Sequence, residues 1–324
     1  MTEQHPPPFL VLSDQALAGL GLSMVKIVDA IEQTILAEAR GQILTSPKSG
    51  VERDDGRYVM TTLASGDAPN LTIVKSVIAS PRNPDRGLPG VDGAILVQDS
   101  ETGQLLAVMQ AGWITGIRTA GLSGVVARRL ANPQSQQVAF IGAGVQARSH
   151  LEVYAALFPL TGITVFGRGQ GNIERLCAMA RDRGLTARIC ETPRAAVQGA
   201  DLVVSSVTRS FDGDPFVDAR WLKPGVFASI ADLALPWVPD SLAAFGALYI
   251  DSIAQEHASP RKLLPFDLVT GDLAALLDET APLPSDRAVR RAFVFRGLAI
   301  GDFALARLAL GQARTVAAGQ SISW

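Results

Sequence analysis

The stretch Val138-Ala139-Phe140-Ile141-Gly142-Ala143-Gly144-Val145-Gln146-Ala147 constrains this chain more than any other segment. Four apolar residues in a row suit a strand buried on both faces. The G-x-G-x-x-A run behind them lets the chain turn tightly and open a helix whose first N–H groups lack partners. Such a helix start is a ready anion site, and a dinucleotide pyrophosphate is its usual occupant. A glycine turn that serves only helix packing would look the same, so the surrounding chain has to decide.

From Ile114 onward short apolar runs alternate with helical patterns. Thr115 to Leu130 is a helical run closed by Ala131-Asn132-Pro133. Val138 to Ile141 leads to a helix from Val145, and Ile163 to Phe166 to a helix over 172–183. Thr186 to Cys190 leads into a helix at Pro193, and Leu202 to Ser206, Val226 to Ile230 and Ala247 to Ile250 follow. This alternation predicts an α/β fold, a Rossmann-type doubly wound parallel sheet of at least six strands. In that setting Gly142 makes the turn, Gly144 admits the pyrophosphate, Val145 opens the helix, and Ala147 keeps helix and sheet close. The second strand ends in Gly167-Arg168-Gly169, with no carboxylate before Glu174. A site for NAD(H) usually places Asp or Glu there, whereas Arg168 suits the 2′-phosphate of NADP(H), so the reading leans to NADP(H). An arginine after a strand is also an ordinary surface residue.

The first 110 residues read differently. Leu17, Leu20, Met24, Ile27, Ile31 and Ile35 recur at helical spacing after Asp14, with a break at Gly21-Leu22-Ser23. Arg57 to Leu63 and Leu71 to Ile78 read as strands divided by a turn over 65–70; Gly93 to Gln98 and Leu105 to Gln110 form a hairpin around Asp99 to Gly103. Ala292 to Gln312 is a helical pattern that returns to this part. The expected organisation is a smaller α+β domain over 1–118, with 302–324 returning, and a dinucleotide-binding domain over 119–301. A net charge of −2 gives no reason to expect nucleic acid or an anionic membrane as partner. No run is long enough to span a bilayer, and the polar, proline-rich start from Met1 to Pro8 reads as a frayed tail. Cys177 and Cys190 lack metal-ligand spacing, which fits a reduced, cytoplasmic protein without a metal site.

A third block, Arg118-Thr119-Ala120-Gly121, stands at the head of the Ala-rich helical run. Here the chain resembles the ornithine cyclodeaminase/mu-crystallin family, which includes ornithine cyclodeaminase, an archaeal type of alanine dehydrogenase, ketimine reductases and amino-acid synthases. The resemblance runs through Val74-Lys75-Ser76-Val77, Pro81-Arg82-Asn83-Pro84, Arg86-Gly87-Leu88-Pro89, Asp99 to Gly103, Leu106-Ala107-Val108-Met109 and the glycine turn. It continues through Ser205-Ser206-Val207-Thr208 to Gly301-Asp302-Phe303-Ala304.

The resemblance implies roles. Lys75 matches the family's active-site lysine, able to bind a substrate carboxylate or polarise a C=N or C=O group. Arg118 matches the arginine that grips the substrate carboxylate beside the cofactor; Thr119, Gln146 and Thr208 match contacts to cofactor phosphates and ribose. Asp232, after the fifth strand, matches the catalytic aspartate. A helix-cap or loop aspartate is its bland alternative. The first domain's sheet resembles a dimer-forming surface, so a homodimer is implied.

Four departures bear on the substrate. Lys48 stands where an arginine is usual, so a bidentate carboxylate grip becomes a point charge. Gln110 replaces a frequent Asp, and Gly90 a threonine. Asp232 is followed by Leu233-Ala234-Leu235-Pro236-Trp237 instead of a Pro-Gly-Lys type turn, which reads as a more apolar wall beside the aspartate. The expected function is therefore an NAD(P)-dependent oxidoreductase acting on the C–N bond of an α-amino or α-imino acid, with a small amino, imino or keto acid as substrate. An ornithine or lysine cyclodeaminase with bound NAD is the alternative; a non-catalytic NADPH-binding protein like mu-crystallin is the third reading.

Overall fold

Ser13 and Ser23 set how the chain begins. The structure, a computed structural model, describes residues 7–323, so most of the expected frayed start lies outside the described residues. Strand β1 (Phe9–Leu12) is followed by helices α1 (Asp14–Ala18) and α2 (Met24–Ala39). Each serine accepts the N–H three residues on, from Ala16 and from Lys26, and so caps its helix. α2 buries Ile27, Val28, Ile31, Thr34 and Ile35, the stripe its apolar spacing predicts.

Six strands follow: β2 (Ile43–Thr45), β3 (Ser49–Glu52), β4 (Tyr58–Asp67), β5 (Asn70–Ala79), β6 (Val91–Gln98) and β7 (Leu105–Gln110). The turn expected over 65–70 is shorter. Ser65 to Asp67 stay paired with Asn70 to Thr72, which leaves only Ala68-Pro69 as the loop. Alternation along β5 sends Leu71, Ile73, Lys75 and Val77 to the buried face. On the opposite face Leu63, Val74, Leu96 and Val108 stand in register across β4, β5, β6 and β7.

Helix α3 (Ala111–Leu130) begins four residues before the expected Thr115. Its cap comes from far away in sequence: the Asp14 carboxylate accepts the Trp113 N–H at 2.7 Å. The Gln110 side chain accepts the Asp14 N–H at 3.0 Å. Gly112 permits this, since a Cβ there would lie 2.3 Å from Asp14 Oδ2. Arg118 consequently sits in the third turn of α3 and not at its head.

The chain forms two compact units, and the division falls within α3, after Arg118. In the unit from Thr119 to Gly297, β8 (Gln137–Ile141), α4 (Val145–Leu157), β9 (Gly162–Phe166), α5 (Gln170–Arg181), β10 (Thr186–Ile189) and α6 (Pro193–Val197) make the first half. The second half holds β11 (Leu202–Ser205), β12 (Phe227–Ile230), β13 (Ala247–Ile250), α7 (Ile253–Ala258), β14 (Val269–Asp272), α8 (Leu273–Leu277) and β15 (Arg291–Val294). All strands are parallel, in the order β10-β9-β8-β11-β12-β15-β13-β14. This is the expected doubly wound sheet, enlarged to eight strands. One expectation is corrected: the start of the helical pattern read from Ala292 is strand β15, buried at all four positions between β12 and β13.

The chain then returns as α9 (Ala299–Val316) and β16 (Gln320–Ile322). α9 packs against α2, β4 and β5. β16 pairs with β1, which lies parallel to β7, and completes a sheet ordered β16-β1-β7-β6-β5-β4-β2, with β3 on β4. Among the described residues no helix is long and apolar enough to cross a membrane.

Candidate active site

The first unit holds a charge cluster that is almost wholly buried. Lys75, on the inner face of β5, and Asp302, in the first turn of α9, both have fully buried side chains. Lys75 Nζ lies 2.7 Å from Asp302 Oδ2, and Arg118 Nε lies 3.2 Å from Asp302 Oδ1. Thr62 Oγ1 donates to Asp302 Oδ2 at 3.3 Å. The two ion pairs are close but poorly angled. Lys75 Nζ, Arg118 Nε and Nη1, and Asp302 Oδ1 therefore lack an aligned hydrogen-bond partner among the described residues. Two cations share one carboxylate, so the protonated cluster carries one excess positive charge inside a buried site. Burial presses Lys75 down to about 8, against the raising effect of Asp302, with Arg118 adding to the fall. Burial would raise Asp302, but Lys75 and Arg118 hold it below the usual carboxylate range. Lys48 is half-buried in the loop between β2 and β3.

The second unit carries the glycine turn at the point where the strand order reverses, with β8 between β9 and β11. Gly142 has φ +92°, and a Cβ on it would meet the Ser206 carbonyl at 2.7 Å. A Cβ on Gly144 would meet nothing within 4 Å, so the turn leaves an open concavity there. Gln146 Oε1 and Ser206 Oγ are buried without a partner among the described residues. Bare helix N–H groups, an open glycine and two orphaned polar atoms fit a dinucleotide pyrophosphate and ribose. Val145 is exposed at the head of α4, and Thr119 is buried on α3. Thr208 is exposed in the loop after β11, accepting from Ser210 Oγ at 3.4 Å.

Arg168 is exposed beyond the end of β9. Two further arginines converge on Asn172, whose side-chain nitrogen would lie 3.6 Å from a Cβ on Gly169, the residue after Arg168. Arg148 Nη1 reaches the Ala143 carbonyl at 3.3 Å and Asn172 Oδ1 at 3.5 Å. Arg175 Nη2 donates to the same Asn172 Oδ1 at 2.8 Å. Burial, and then the charge of Arg175, lowers the Arg148 pKa.

Asp232 follows β12 and is 4% exposed. Ser205 Oγ donates to its Oδ1 and the Val207 N–H to its Oδ2, each at 3.1 Å. Burial pushes its pKa up to about 7 although these donors pull it down. Leu233 and Ala234, just after it, take left-handed backbone angles (φ 59° and 57°), uncommon for residues with a Cβ. Trp237, read from sequence as part of an apolar wall, is instead 1% exposed in the core against Phe245. Its indole N–H donates to Ser205 Oγ at 2.8 Å.

Asp302, Ser205, Arg148 and Arg175, which the structure adds to these clusters, carry no assigned role in the sequence. Asp302 had a usable signal, as the one charge in the apolar run Leu298 to Ala306.

A doubly wound parallel sheet with an anion-cradling glycine turn at its switch point defines a Rossmann-type dinucleotide-binding protein. Within that class the chain belongs to the ornithine cyclodeaminase/mu-crystallin family, whose sequence profile matches residues 11–232. The ketimine reductase mu-crystallin of Rattus norvegicus is 28% identical over 229 residues, covering 69% of this chain and 70% of its own length. The Thermococcus litoralis Delta(1)-pyrroline-2-carboxylate reductase, solved with NADH and L-proline, superposes with a TM-score of 0.87 at 23% identity over 97% of this chain and all of its own. An archaeal alanine dehydrogenase dimer with bound NAD gives 0.86 at 24% identity over 97% and 99%.

Proposed function

We propose that the chain is an NAD(P)-dependent oxidoreductase acting at the C–N bond of an α-amino or α-imino acid. The Lys75–Asp302–Arg118 cluster carries this reading. One unmatched positive charge and several unaligned donors in a dry site suit a substrate carboxylate. Arg118 Nη1 and Lys75 Nζ would hold that carboxylate, with Lys48 as a further point charge carried over from the family pattern. When bound, the nicotinamide ring supplies or accepts the hydride that changes the oxidation level of the α-carbon. Asp232 would move the accompanying proton, giving it to the nitrogen in reduction and taking it in oxidation.

The phosphate-facing residues would be Gly142, Gly144, Val145, Gln146, Thr119 and Thr208. NADP(H) is the preferred form in this reading, because Arg168 ends the second strand of the unit and Arg148 and Arg175 converge on a neutral amide, Asn172, packed near Gly169. A homodimer through the first unit's sheet is supported by its outer row, where Leu63 and Leu96 are 40% and 41% exposed. A sedimentation mass of two chains checks it. A cytoplasmic location fits the two free cysteines.

The test of function is loss of the reduced nicotinamide absorbance with cyclic α-imino acids, or with α-keto acids plus an amine. Ammonia release from ornithine or lysine with no net change in nicotinamide would instead identify a cyclodeaminase.

A further inference from the structure

Asp232 is not held by chance contacts. Trp237 and Ser205 stand behind it in a hydrogen-bonded chain whose directions have one solution when the carboxylate is ionised. An indole N–H only donates, so Ser205 Oγ accepts from Trp237 at 2.8 Å. A hydroxyl has a single hydrogen, and the neighbour left for it is Asp232 Oδ1 at 3.1 Å. The other carboxylate oxygen accepts the Val207 N–H. Both oxygens are thereby tethered, and the carboxyl plane is fixed.

The chain is shaped to deliver this line. Ser205 is the last residue of β11 and pairs with Ile230 at the end of β12, two residues before Asp232. The left-handed pair Leu233-Ala234 then reverses the backbone, with Leu235 N–H bonded to the Asp232 carbonyl and Trp237 N–H to that of Ala234. This reversal returns Trp237 to the core, where Val217 forms a bridge with it. Ser205 and Trp237 are 0% and 1% exposed, so no water competes for either bond.

We propose that Ser205 and Trp237 are positioning residues for Asp232: the indole N–H commits the Ser205 hydroxyl hydrogen to Oδ1 and so holds the carboxylate in one orientation and stabilises its ionised form. The proposal deepens, and its catalytic consequence rests on, the reading of Asp232 as proton carrier. The groups acting on Asp232 are the Ser205 hydroxyl from β11, the Val207 N–H beyond it, and the N–H groups of Asp232 and Ala234; all are uncharged. Removing a donor therefore acts on the carboxylate without a compensating charge.

The test is a carboxyl-carbon NMR titration of the full chain with labelled aspartate, in which Asp232→Asn identifies the Asp232 signal. Ser205→Ala should raise the Asp232 midpoint by about one pH unit, tenfold in proton affinity, because a hydrogen bond to the charged form is lost. Ser205→Thr keeps the hydroxyl and should restore the parent midpoint. Trp237→Phe should move it the same way by less, since the freed hydroxyl can turn elsewhere. A parent-like midpoint in folded Ser205→Ala overturns the proposal, as does equal displacement by Ser205→Thr. Should Trp237→Phe fail to fold, the Ser205 pair alone decides. The pH profile of turnover separates the two levels. If the carboxyl midpoint moves and the profile stays put, the positioning stands and the proton-carrier reading falls.

Discussion

Lys75 Nζ and Asp302 Oδ2 stand 2.7 Å apart with both side chains fully buried, joining strand β5 to the first turn of α9. A buried ion pair of this kind returns little net stability over an apolar pair, yet removing one partner leaves an uncompensated charge. Its retention makes better sense as a preorganised receptor, in which Asp302 holds two cations close together.

Asp302→Asn should therefore destabilise the chain by about 3 kcal/mol, the usual cost of stranding a buried charge. Lys75→Met placed on top of it should recover part of that loss. Denaturant unfolding of the single and double variants gives the coupling directly. A double variant as unstable as the two losses added would show that Lys75 and Asp302 do not act as a pair.

The two directions of the reaction should have opposite pH limbs. Burial pushes the Asp232 pKa up to about 7, so if Asp232 carries the proton as proposed, reduction should slow as pH rises through that value. Oxidation, which needs the base, should speed up across the same range. Lys75 loses its charge at about 8, so KM for the carboxylate substrate should rise above that pH in both directions. Initial rates in both directions between pH 6 and pH 9, taken in about half-unit steps across these two values, check the signs.

Arg148→Gln and Arg175→Gln should each weaken NADPH binding tenfold or more, about 1.4 kcal/mol, and leave NADH nearly unchanged. Fluorescence titration with both cofactors measures the ratio. Equal losses for NADPH and NADH would place these arginines outside the 2′-phosphate site.

His150 predicts an acid-sensitive core in the second unit. Its ring is fully buried in α4, donating from Nδ1 to the Gln146 carbonyl at 2.7 Å and accepting at Nε2 from Ser123 Oγ at 2.9 Å. Burial lowers its pKa to about 4, against the raising effect of the Gln146 bond. The folded state thus refuses a proton that the unfolded chain takes near 6.5. Stability is complete above that value and should fall as pH drops toward 4, by on the order of 3 kcal/mol from this group. Unfolding at pH 7.5 and pH 5, spanning the two values, should show the loss in the parent and a smaller one in His150→Gln. An equal loss in both would assign the acid sensitivity elsewhere.

The parallel sheet was legible because short apolar strands, glycine turns and helical periods alternate in one register from Val138 to Ile250. β15 was not, since Ala292-Phe293-Val294-Phe295 runs on toward the apolar helix α9 and a four-residue buried strand has no period of its own. The start of α3 was misplaced because its cap, Asp14, comes from another helix and leaves no local mark. β1 and β16 went unread, being strands of four and three residues whose partners lie far away in sequence. Trp237 shows the deeper limit. An apolar segment after Asp232 looks like a substrate wall in sequence, and only the left-handed reversal at Leu233-Ala234 turns it into the core.

In the proposed reaction the buried Lys75–Asp302–Arg118 cluster would receive the carboxylate of a substrate whose C–N bond is then reduced or oxidised. Its most direct test compares NADPH oxidation with a cyclic α-imino acid and with the same ring lacking the carboxylate. The kcat/KM for the carboxylate-bearing imine should exceed that of its analogue by about 100-fold, roughly the value of one buried charge-assisted pairing. Equal rates with the two rings, or no oxidation of NADPH or NADH by a folded chain that binds cofactor, would contradict it.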